Sequence, residues 1–423
     1  MPGLIVAAPA SGSGKTTITL GILRALKNRG VAVRGAKSGP DYIDPRFHEA
    51  ACDRPCANLD AWAMPPRQIR QLAATDDLLI IEGAMGLFDG APPQGKGAVA
   101  DLARHLKLPV VLVVDASHMA QSIAPLINGF AAHDATVAVA GVILNKVGSR
   151  RHEMILRAAL QDLDIPVLGA VFRDVKLKTP SRHLGLVQAA ERDDLEDFLS
   201  YAAIQITRYV DLNRLRKIAA PTPKPTAEQP RKKSGAVIAV ARDVAFSFIY
   251  PHLIARWEAA GNRIAYFSPL ADETVPPAEL IYLPGGYPEL HAKTLSHATT
   301  FLNSLRSAAQ TSDIYGECGG YMTLGESITD ADGSTYEFAG LLPLQTSFAD
   351  RKLNLGYRTL NAATGPVAGT HKAHEFHYAT TVKADGPPLF TAKDAEEKNL
   401  PPMGLRQGRV CGSFAHLIER ASS

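Results

Sequence analysis

Cysteine is scarce in this sequence and follows no regular spacing. The chain contains four cysteines in 423 residues, at positions 52, 56, 318 and 411. A small secreted scaffold would need more of them, evenly distributed, to replace a hydrophobic core. The scarcity therefore excludes a disulfide framework and predicts a reducing, cytoplasmic environment.

Long apolar runs and a strong charge imbalance are also missing. No stretch reaches the roughly 18 apolar residues of a membrane helix. We also expect no signal peptide, because no basic, apolar and small-residue segments stand in series at the start. The net charge is only +3, so neither a membrane nor a nucleic acid is an expected partner. The length and a hydrophobic content of 46% are typical of a soluble protein with two or three domains.

The first half of the chain alternates continuous apolar runs with helix-like segments such as Thr16–Asn28 and Ser117–Ala132. Runs without polar alternation are typical of parallel strands that are covered on both faces. The predicted strands are Gly3–Ala8, Leu78–Ala84, Pro109–Ser117, Val139–Val147 and Ile165–Phe172. This order predicts an α/β fold with a doubly wound parallel sheet.

A proline-rich, polar segment separates this half from a second series of strands and helices. The segment AAPTPKPTAEQPRKKSG, residues 219–235, has no apolar period and reads as a linker. The second series contains strands in Ala236–Asp243, Arg263–Pro269 and Leu280–Gly286, followed by DIYGECGG. We therefore predict one domain at residues 1–218 and another at 236–423.

A phosphate-binding loop follows the first predicted strand. The segment SGSGKTT contains Gly12, Ser13, Gly14, Lys15, Thr16 and Thr17 and opens a helix. Its backbone N–H groups and Lys15 suit nucleotide phosphates, and the Thr16 hydroxyl suits Mg²⁺. Pro9 replaces the first glycine of the usual pattern, and a glycine-rich turn with a solvated lysine is the alternative.

Acidic residues follow several of the predicted strands. Asp41 and Asp44 lie in KSGPDYIDPRFH together with Lys37, Glu82 and Asp89 lie in EGAMGLFDG, and Asp115 ends another strand. Carboxylates at the carboxyl ends of parallel strands line the ligand crevice, where they can hold Mg²⁺ with phosphate oxygens. Helix capping and turn formation are the alternative, equally weighted for Asp115. Asn145 ends a further strand and could read a nucleotide base.

The segment GECGG places Cys318 where a nucleophile elbow would hold its reactive residue. Such a turn puts the sulfur at a helix N-terminus, which lowers the pKa of a thiol. His416 is the candidate base, and Gly285 and Gly286 could supply oxyanion-hole N–H groups. A small buried hydrophobe is the alternative for Cys318.

Two further segments contain histidines that could bind a metal or a substrate. His48, Cys52 and Cys56 share a spacing of four, but no fourth ligand stands nearby, so we interpret them as structural. The segment HKAHEFHYA, residues 371–379, is either a strand with alternating faces or a contact surface for a polar substrate.

In combination these segments resemble the cobyrinic acid a,c-diamide synthase family, including its hydrogenobyrinic acid branch. The resemblance covers essentially the whole chain, because APASGSGKTT, KSGPDYIDPRFH, EGAMGLFDG, LPGGYPEL, GECGGYM and HEFHY follow in the family's order. It implies a dethiobiotin-synthetase-like P-loop domain that uses ATP and Mg²⁺, joined to a glutamine amidotransferase domain of the triad class.

The resemblance also implies residue roles. Lys15 and Thr16 would hold ATP, Thr16, Asp41 and Glu82 the metal, and Asp41, Glu82 and Asp89 would serve phosphate transfer. Cys318 would be the glutaminase nucleophile and His416 its base. The wider triad class has Glu two residues after the histidine, but this chain has Ile418 there, which leaves the triad incomplete.

The implied reaction converts two acetate side chains of a corrinoid acid to amides, through an acyl phosphate and ammonia released from L-glutamine. Cobyric acid synthase, a nickel-tetrapyrrole amidoligase, and a regulatory P-loop ATPase with an inactive amidotransferase domain are the alternatives. The metal state of the ring, the order of amidation and the ammonia path stay open, and a homodimer is one expectation for the assembly.

Overall fold

A computed structural model describes residues 2–177, 181–182, 185–222 and 234–421. The chain divides into two compact units, Met1–Ala227 and Glu228–Ser423. Most of the predicted linker, residues 223–233, lies outside the described residues. No helix among the described residues is long and apolar enough to cross a bilayer.

The first unit is built on an eight-stranded sheet. Its strands, together with a separate two-stranded pair (β8 and β9), are β1 Pro2–Ala7, β2 Val33–Ser38, β3 Ala57–Leu59, β4 Leu78–Glu82, β5 Val110–Asp115, β6 Val139–Val147, β7 Val167–Phe172, β8 Ser181–Arg182, β9 Gly185–Leu186 and β10 Ala220–Pro221. The order in the main sheet is β3-β2-β4-β1-β5-β6-β7, with these neighbours parallel. Strand β10 pairs antiparallel with β1, so Ala220 and Pro221 of the predicted linker belong to this sheet.

Helices join the strands and cover the sheet. They are α1 Lys15–Asn28, α2 Asp44–Cys52, α3 Pro66–Ala73, α4 Val99–Leu106, α5 Ile123–Ala132, α6 Arg150–Ala159, α7 Leu195–Tyr209 and α8 Leu212–Ile218. The side chains of β1 and β4 are almost fully buried, as an apolar run without alternation requires. The predicted doubly wound sheet is confirmed. Helix α5 begins at Ile123 and not at Ser117 as predicted, because the residues between them form turns and bends.

The second unit begins with another parallel sheet. Its order is β12-β11-β13-β14-β24-β23, with β23 antiparallel at the edge. The strands of this unit are β11 Val237–Ala241, β12 Arg263–Phe267, β13 Leu280–Leu283, β14 Asp313–Glu317, β15 Ser327–Thr329, β16 Thr335–Glu337, β17 Leu344–Ser347, β18 Asn354–Ala362, β19 Gly369–His377, β20 Thr380–Ala384, β21 Phe390–Lys393, β22 Asn399–Met403, β23 Leu405–Gln407, β24 Val410–Ser413 and β25 Ala415–Arg420. Its helices are α9 Pro251–Ala259, α10 Ala292–His297, α11 Thr299–Ala308 and α12 Gly319–Leu324.

Two antiparallel sheets accompany the parallel sheet in this unit. Their orders are β16-β15-β17-β20 and β22-β21-β18-β19-β25. The second of them carries β25 next to β19, which brings the C-terminal histidine beside the HEFHY segment. The predicted α/β amidotransferase fold is confirmed, although the apolar pattern of the sequence did not indicate these antiparallel sheets.

Candidate active sites

The phosphate loop lies between β1 and α1 and depends on two glycines. Gly12 and Gly14 have φ angles of 79° and 87°, in the left-handed region that favours glycine. A Cβ atom on Gly14 would also lie 2.3 Å from Nδ2 of Asn145. The loop therefore keeps its backbone N–H groups at the start of α1, where an anion is favoured.

Two residues at the end of β6 brace this loop. Nδ2 of Asn145 donates a hydrogen bond of 2.8 Å to the Ser13 carbonyl. Nζ of Lys146 donates to the Gly12 carbonyl at 2.9 Å and pairs with Asp115 at 2.6 Å. Asn145 thus holds the loop from behind, and its reading of a nucleotide base stays a prediction.

A cavity of about 370 Å³ opens beside the loop. Gly14, Thr17, Asn145, Phe172 and Asp174 contribute to its lining. The volume lies in the range of small-molecule sites, and an aromatic ring beside polar groups suits a nucleotide base.

Lys15 and Thr16 point towards the segment that follows β4. Nζ of Lys15 donates to the Met85 carbonyl at 2.6 Å, and Oγ1 of Thr16 donates to Oε1 of Glu82 at 2.6 Å. Burial lowers the pKa of Lys15, although Glu82 opposes that effect. The structure therefore brings the predicted Lys15, Thr16 and Glu82 into one cluster.

Lys37 lies at the centre of this cluster. Its Nζ contacts Oδ2 of Asp44 at 2.5 Å, Oε1 of Glu82 at 2.8 Å and Oδ2 of Asp41 at 3.9 Å. Burial alone would lower the pKa of Lys37, but Asp44 and Glu82 outweigh it and raise that pKa. Burial also raises the pKa of Asp44 to about 7. Asp44 is one of the acidic residues predicted at a strand end, whereas no role was predicted for Lys37, which lies in β2.

Asp41 and Asp89 also organise the backbone. Oδ1 of Asp41 accepts the N–H groups of Ile43 and Asp44 at the start of α2, and Oδ2 of Asp89 accepts the N–H of Gly86. Their capping and turn roles are thus present, and their roles in phosphate transfer stay predictions.

The oxygens of Thr16 and Glu82 fit a magnesium ion that also binds phosphate. The described residues hold no cluster of three or more His, Cys, Asp or Glu side chains suited to a metal ion. Mg²⁺ needs no such cage, because it is usually held by one or two protein oxygens, substrate phosphates and water. Asp41 lies 3.9 Å from Nζ of Lys37, which in turn contacts Glu82 at 2.8 Å.

His48 supports Glu82 from the buried side. Its Nε2 lies 2.6 Å from Oε2 of Glu82, and its Nδ1 lies 3.6 Å from Sγ of Cys56. The side chain of His48 is fully buried. His48 and Cys56 are therefore structural residues with a specific role. His48 contacts a carboxylate of the nucleotide site, and Cys56 contacts His48.

Cys318 occupies a strained turn between β14 and α12. Its φ and ψ are 45° and −104°, a conformation that a non-glycine residue adopts only under constraint. Its N–H donates to the Ser413 carbonyl at 2.8 Å. A Cβ atom on Gly320 would lie 2.0 Å from the Leu283 carbonyl oxygen, so this helix start packs directly against β13. The geometry is that of a nucleophile elbow.

The expected lowering of the thiol pKa is wrong for this buried arrangement. Cys318 is only 4% exposed, and burial raises its pKa, as do Glu289 and Glu317. The N–H of Gly319 acts in the opposite direction but does not outweigh burial. The thiol is therefore protonated in this state, and a base must remove its proton.

His416, the candidate base, lies against the backbone of Gly285, which follows β13. It lies on β25 opposite His374 of β19, and it is fully buried. Burial lowers the pKa of His416 to about 3, with His374 and His377 acting in the same direction. A neutral imidazole can accept a thiol proton.

Gly285 lies against His416, and Gly286 lies against Gly319, the residue after Cys318. A Cβ atom on Gly285 would lie 2.2 Å from Cε1 of His416, and one on Gly319 would lie 3.1 Å from the Gly286 nitrogen. The backbone after β13 therefore contacts the imidazole and the start of α12, where an oxyanion hole would form.

The HEFHY segment is the end of β19 and its side chains are paired. Glu375 binds Arg358 at 2.8 Å and His377 at 3.0 Å, and His377 stacks on Phe414. Glu375 also raises the pKa of Cys318. Of the two alternatives left open, the strand is present, and its buried Glu375 lies close enough to Cys318 to influence the thiol.

Two family models match the chain, one in each unit. The CobQ/CobB/MinD/ParA nucleotide binding domain matches residues 4–187, and the CobB/CobQ-like glutamine amidotransferase domain matches residues 237–423. Curated relatives match over nearly the whole length. A protein named hydrogenobyrinate a,c-diamide synthase from Brucella anthropi is 54% identical, with 99% of each chain covered.

Relatives from other bacteria agree with this match. Proteins of the same name from Rhizobium meliloti and Mesorhizobium japonicum are 51% and 47% identical, again with 99% of each chain covered. Identity at this level extends over 99% of the chain, and the chain belongs to the hydrogenobyrinate a,c-diamide synthase family.

Proposed function

We propose that this chain uses ATP and glutamine to amidate the a and c acetate side chains of hydrogenobyrinic acid. The observation that carries the proposal is the presence of two complementary centres in one chain. Lys15, Thr16 and Glu82 cluster in the first unit, where we propose the phosphate site, and we assign Cys318 and His416 to a thiol site in the second. We assign the two activities to residues 1–218 and 236–423.

The first centre makes the acid electrophilic. A carboxylate oxygen of the corrinoid attacks the γ-phosphorus of ATP, ADP leaves, and an acyl phosphate forms. The phosphate loop and Lys15 stabilise the transferring group by hydrogen bonds and charge. Lys37 holds Asp44 and Glu82 in place, so carboxylates and cations alternate through the buried site.

Magnesium would be bound by Thr16 and Glu82 together with phosphate oxygens, and it would offset charge on the phosphates. Asp41 and Asp89 complete the acidic set that we propose for phosphate transfer. Asn145 keeps the loop in shape and lines the cavity that we assign to the nucleotide base.

The second centre supplies ammonia. His416 accepts the proton of Cys318, and the thiolate attacks the side-chain amide carbon of glutamine. Gly285 and Gly286 lie where their N–H groups could stabilise the oxyanion. Ammonia leaves, water hydrolyses the glutamyl thioester, and the ammonia displaces phosphate from the activated acid.

The buried free cysteines are consistent with a reducing, cytoplasmic location, which we also propose. A homodimer stays a prediction that light scattering can test.

Mass spectrometry of products tests the proposal. Purified protein is incubated with hydrogenobyrinic acid or cobyrinic acid, each with ATP and glutamine. We expect two amides on hydrogenobyrinic acid, located at the a and c side chains, with ADP formed in step. Amides at other side chains would identify a cobyric acid synthase-like enzyme, and ATP hydrolysis without amide formation would contradict the proposal.

A further inference from the structure

Glu317, the residue directly before the nucleophile, lies beside the ring of the candidate base. Its Oε2 is 3.7 Å from Nδ1 of His416, and both side chains are at least 98% buried. Oε2 also accepts a hydrogen bond from the Tyr282 hydroxyl at 2.7 Å, and Oε1 accepts the N–H of Leu417 at 3.1 Å. The carboxylate is thus held from two sides while one oxygen faces the imidazole.

The position that normally supplies this acid cannot do so here. Ile418, two residues after His416, is a fully buried core residue. Glu419 is on the same strand but pairs with Arg256, and Glu375 is paired with Arg358 and His377. These two carboxylates are therefore already paired with other side chains.

We propose that Glu317 is the positioning residue of His416 and takes the place of the missing third member of the triad. Its ionised carboxylate accepts the Nδ1–H, which places the ring's lone pair on Nε2, the atom that accepts the thiol proton of Cys318. The same proton then passes from Nε2 to the departing nitrogen, and Glu317 itself stays ionised throughout. Closing 3.7 Å to a hydrogen bond requires a small shift, and catalytic hydrogen bonds often shorten when substrate binds.

Other titratable groups face this pair. His374 and His377 of β19 lower the pKa of His416, Tyr282 hydrogen-bonds to Glu317, and Tyr315 also lowers the pKa of Glu317. Burial raises the pKa of Glu317 to about 7, with Tyr282 and the Leu417 N–H opposing it. The tyrosines and the Leu417 N–H thus favour the ionised form that positioning requires, and this form predominates above about pH 7.

This inference rests on the proposed glutaminase role of Cys318, and its test separates the two. Glu317→Gln preserves the acceptor for the Leu417 N–H but removes the charge. We expect the kcat for glutamine-dependent amidation to fall about 10²- to 10⁴-fold with KM for glutamine unchanged. Amidation with ammonium chloride should stay at the wild-type rate, which shows that the protein is folded.

A second measurement follows the thiol itself. The alkylation rate of Cys318 by iodoacetamide is measured across pH, with the Cys318 peptide quantified by mass spectrometry. We expect slower alkylation at neutral pH in Glu317→Gln, because the imidazolium that accompanies the thiolate has lost its stabilising carboxylate. Glu317→Asp should recover part of both activities, because the shorter side chain keeps the charge.

Glu419→Gln is the matched control, since it changes a buried glutamate on the strand of His416. It should leave kcat within about twofold of wild type, as expected for a change outside the site. If Glu317→Gln behaves like this control, or Glu317→Asp performs no better than Glu317→Gln, the positioning role is overturned. If Cys318→Ala retains glutamine use, the proposed function fails first.

Discussion

The imidazole of His416 lies directly against the backbone of Gly285, so closely that a Cβ atom on residue 285 would be 2.2 Å from Cε1. We predict that Gly285→Ala displaces the imidazole from Cys318. The rate of glutamine-dependent amidation should fall about 10²- to 10⁴-fold, the usual loss when a general base is misplaced. Ammonium-dependent amidation should be unaffected, and steady-state kinetics with each nitrogen source measures both.

Gly129→Ala provides the control for this substitution. Gly129 lies in α5, where an added Cβ atom would meet nothing within 4 Å. This change should leave both rates unaltered and stabilise the helix by up to about 1 kcal/mol. Normal glutamine use by Gly285→Ala would show that the contact does not position the base.

A second prediction concerns Cys318, the candidate nucleophile. Cys318→Ala should abolish glutamine-dependent amidation, since no other group in the elbow can form the thioester. Amidation with ammonium chloride should continue, because the phosphate site is in the other unit. Cys411→Ala, a buried cysteine on the neighbouring β24, should retain glutamine use. Product analysis by mass spectrometry with each nitrogen source distinguishes the variants.

Loss of the phosphate-loop lysine should lower the rate of amidation with glutamine and with ammonium chloride alike. We expect Lys15→Ala to lower ATP-dependent amidation about 10²- to 10³-fold or more with either source, as when a preorganised donor to a developing charge is removed. Lys27→Ala in the same helix is the control, because Lys27 makes a partly exposed ion pair with Asp53. Such pairs contribute only about 0–1 kcal/mol to stability. Coupled ADP assays provide the measurement, and a Lys15→Ala protein with normal turnover would exclude this lysine from phosphate transfer.

Glu289 should make the second unit less stable as pH rises. Burial raises the pKa of Glu289 to about 8, and its Oε2 has no hydrogen-bond partner among the described residues. Between an unfolded pKa of 4.5 and this value, the folded state retains a proton that the unfolded state releases, so the free energy of unfolding falls with rising pH. Glu317, with its pKa raised to about 7, acts in the same direction.

Trp257 allows this effect to be measured in the second unit alone. It packs against Tyr282, and a Trp62→Phe background removes the other tryptophan of the chain. The Tm from Trp257 fluorescence should fall between about pH 7 and pH 8, above the range in which the buried His252 and His416 lose their protons in the unfolded state, and Glu289→Gln should reduce that fall. Glu258→Gln, an exposed change in α9, should leave the slope unaltered. Equal slopes for both variants would contradict the assignment to Glu289.

Much of the fold follows from local patterns. The strands β1, β4, β5, β6 and β7 were predictable because buried parallel strands leave uninterrupted apolar runs. Strand β2, with the sequence VRGAKS, was missed because it contains Gly35 and two basic residues. The antiparallel strands after residue 326 are partly exposed and, apart from β18 and β19, short, so their period is weaker than the helix and turn signals around them.

For the active sites, the sequence determined which groups are available, because a loop such as SGSGKTT or GECGG carries its backbone geometry within a few residues. Only the tertiary structure decided which of those groups meet. Glu317 reaches His416 across 99 positions of chain because β14 and β24 are parallel neighbours and β25 follows β24. Burial in that same packing, which no local pattern encodes, raises the pKa of Cys318 and lowers that of His416.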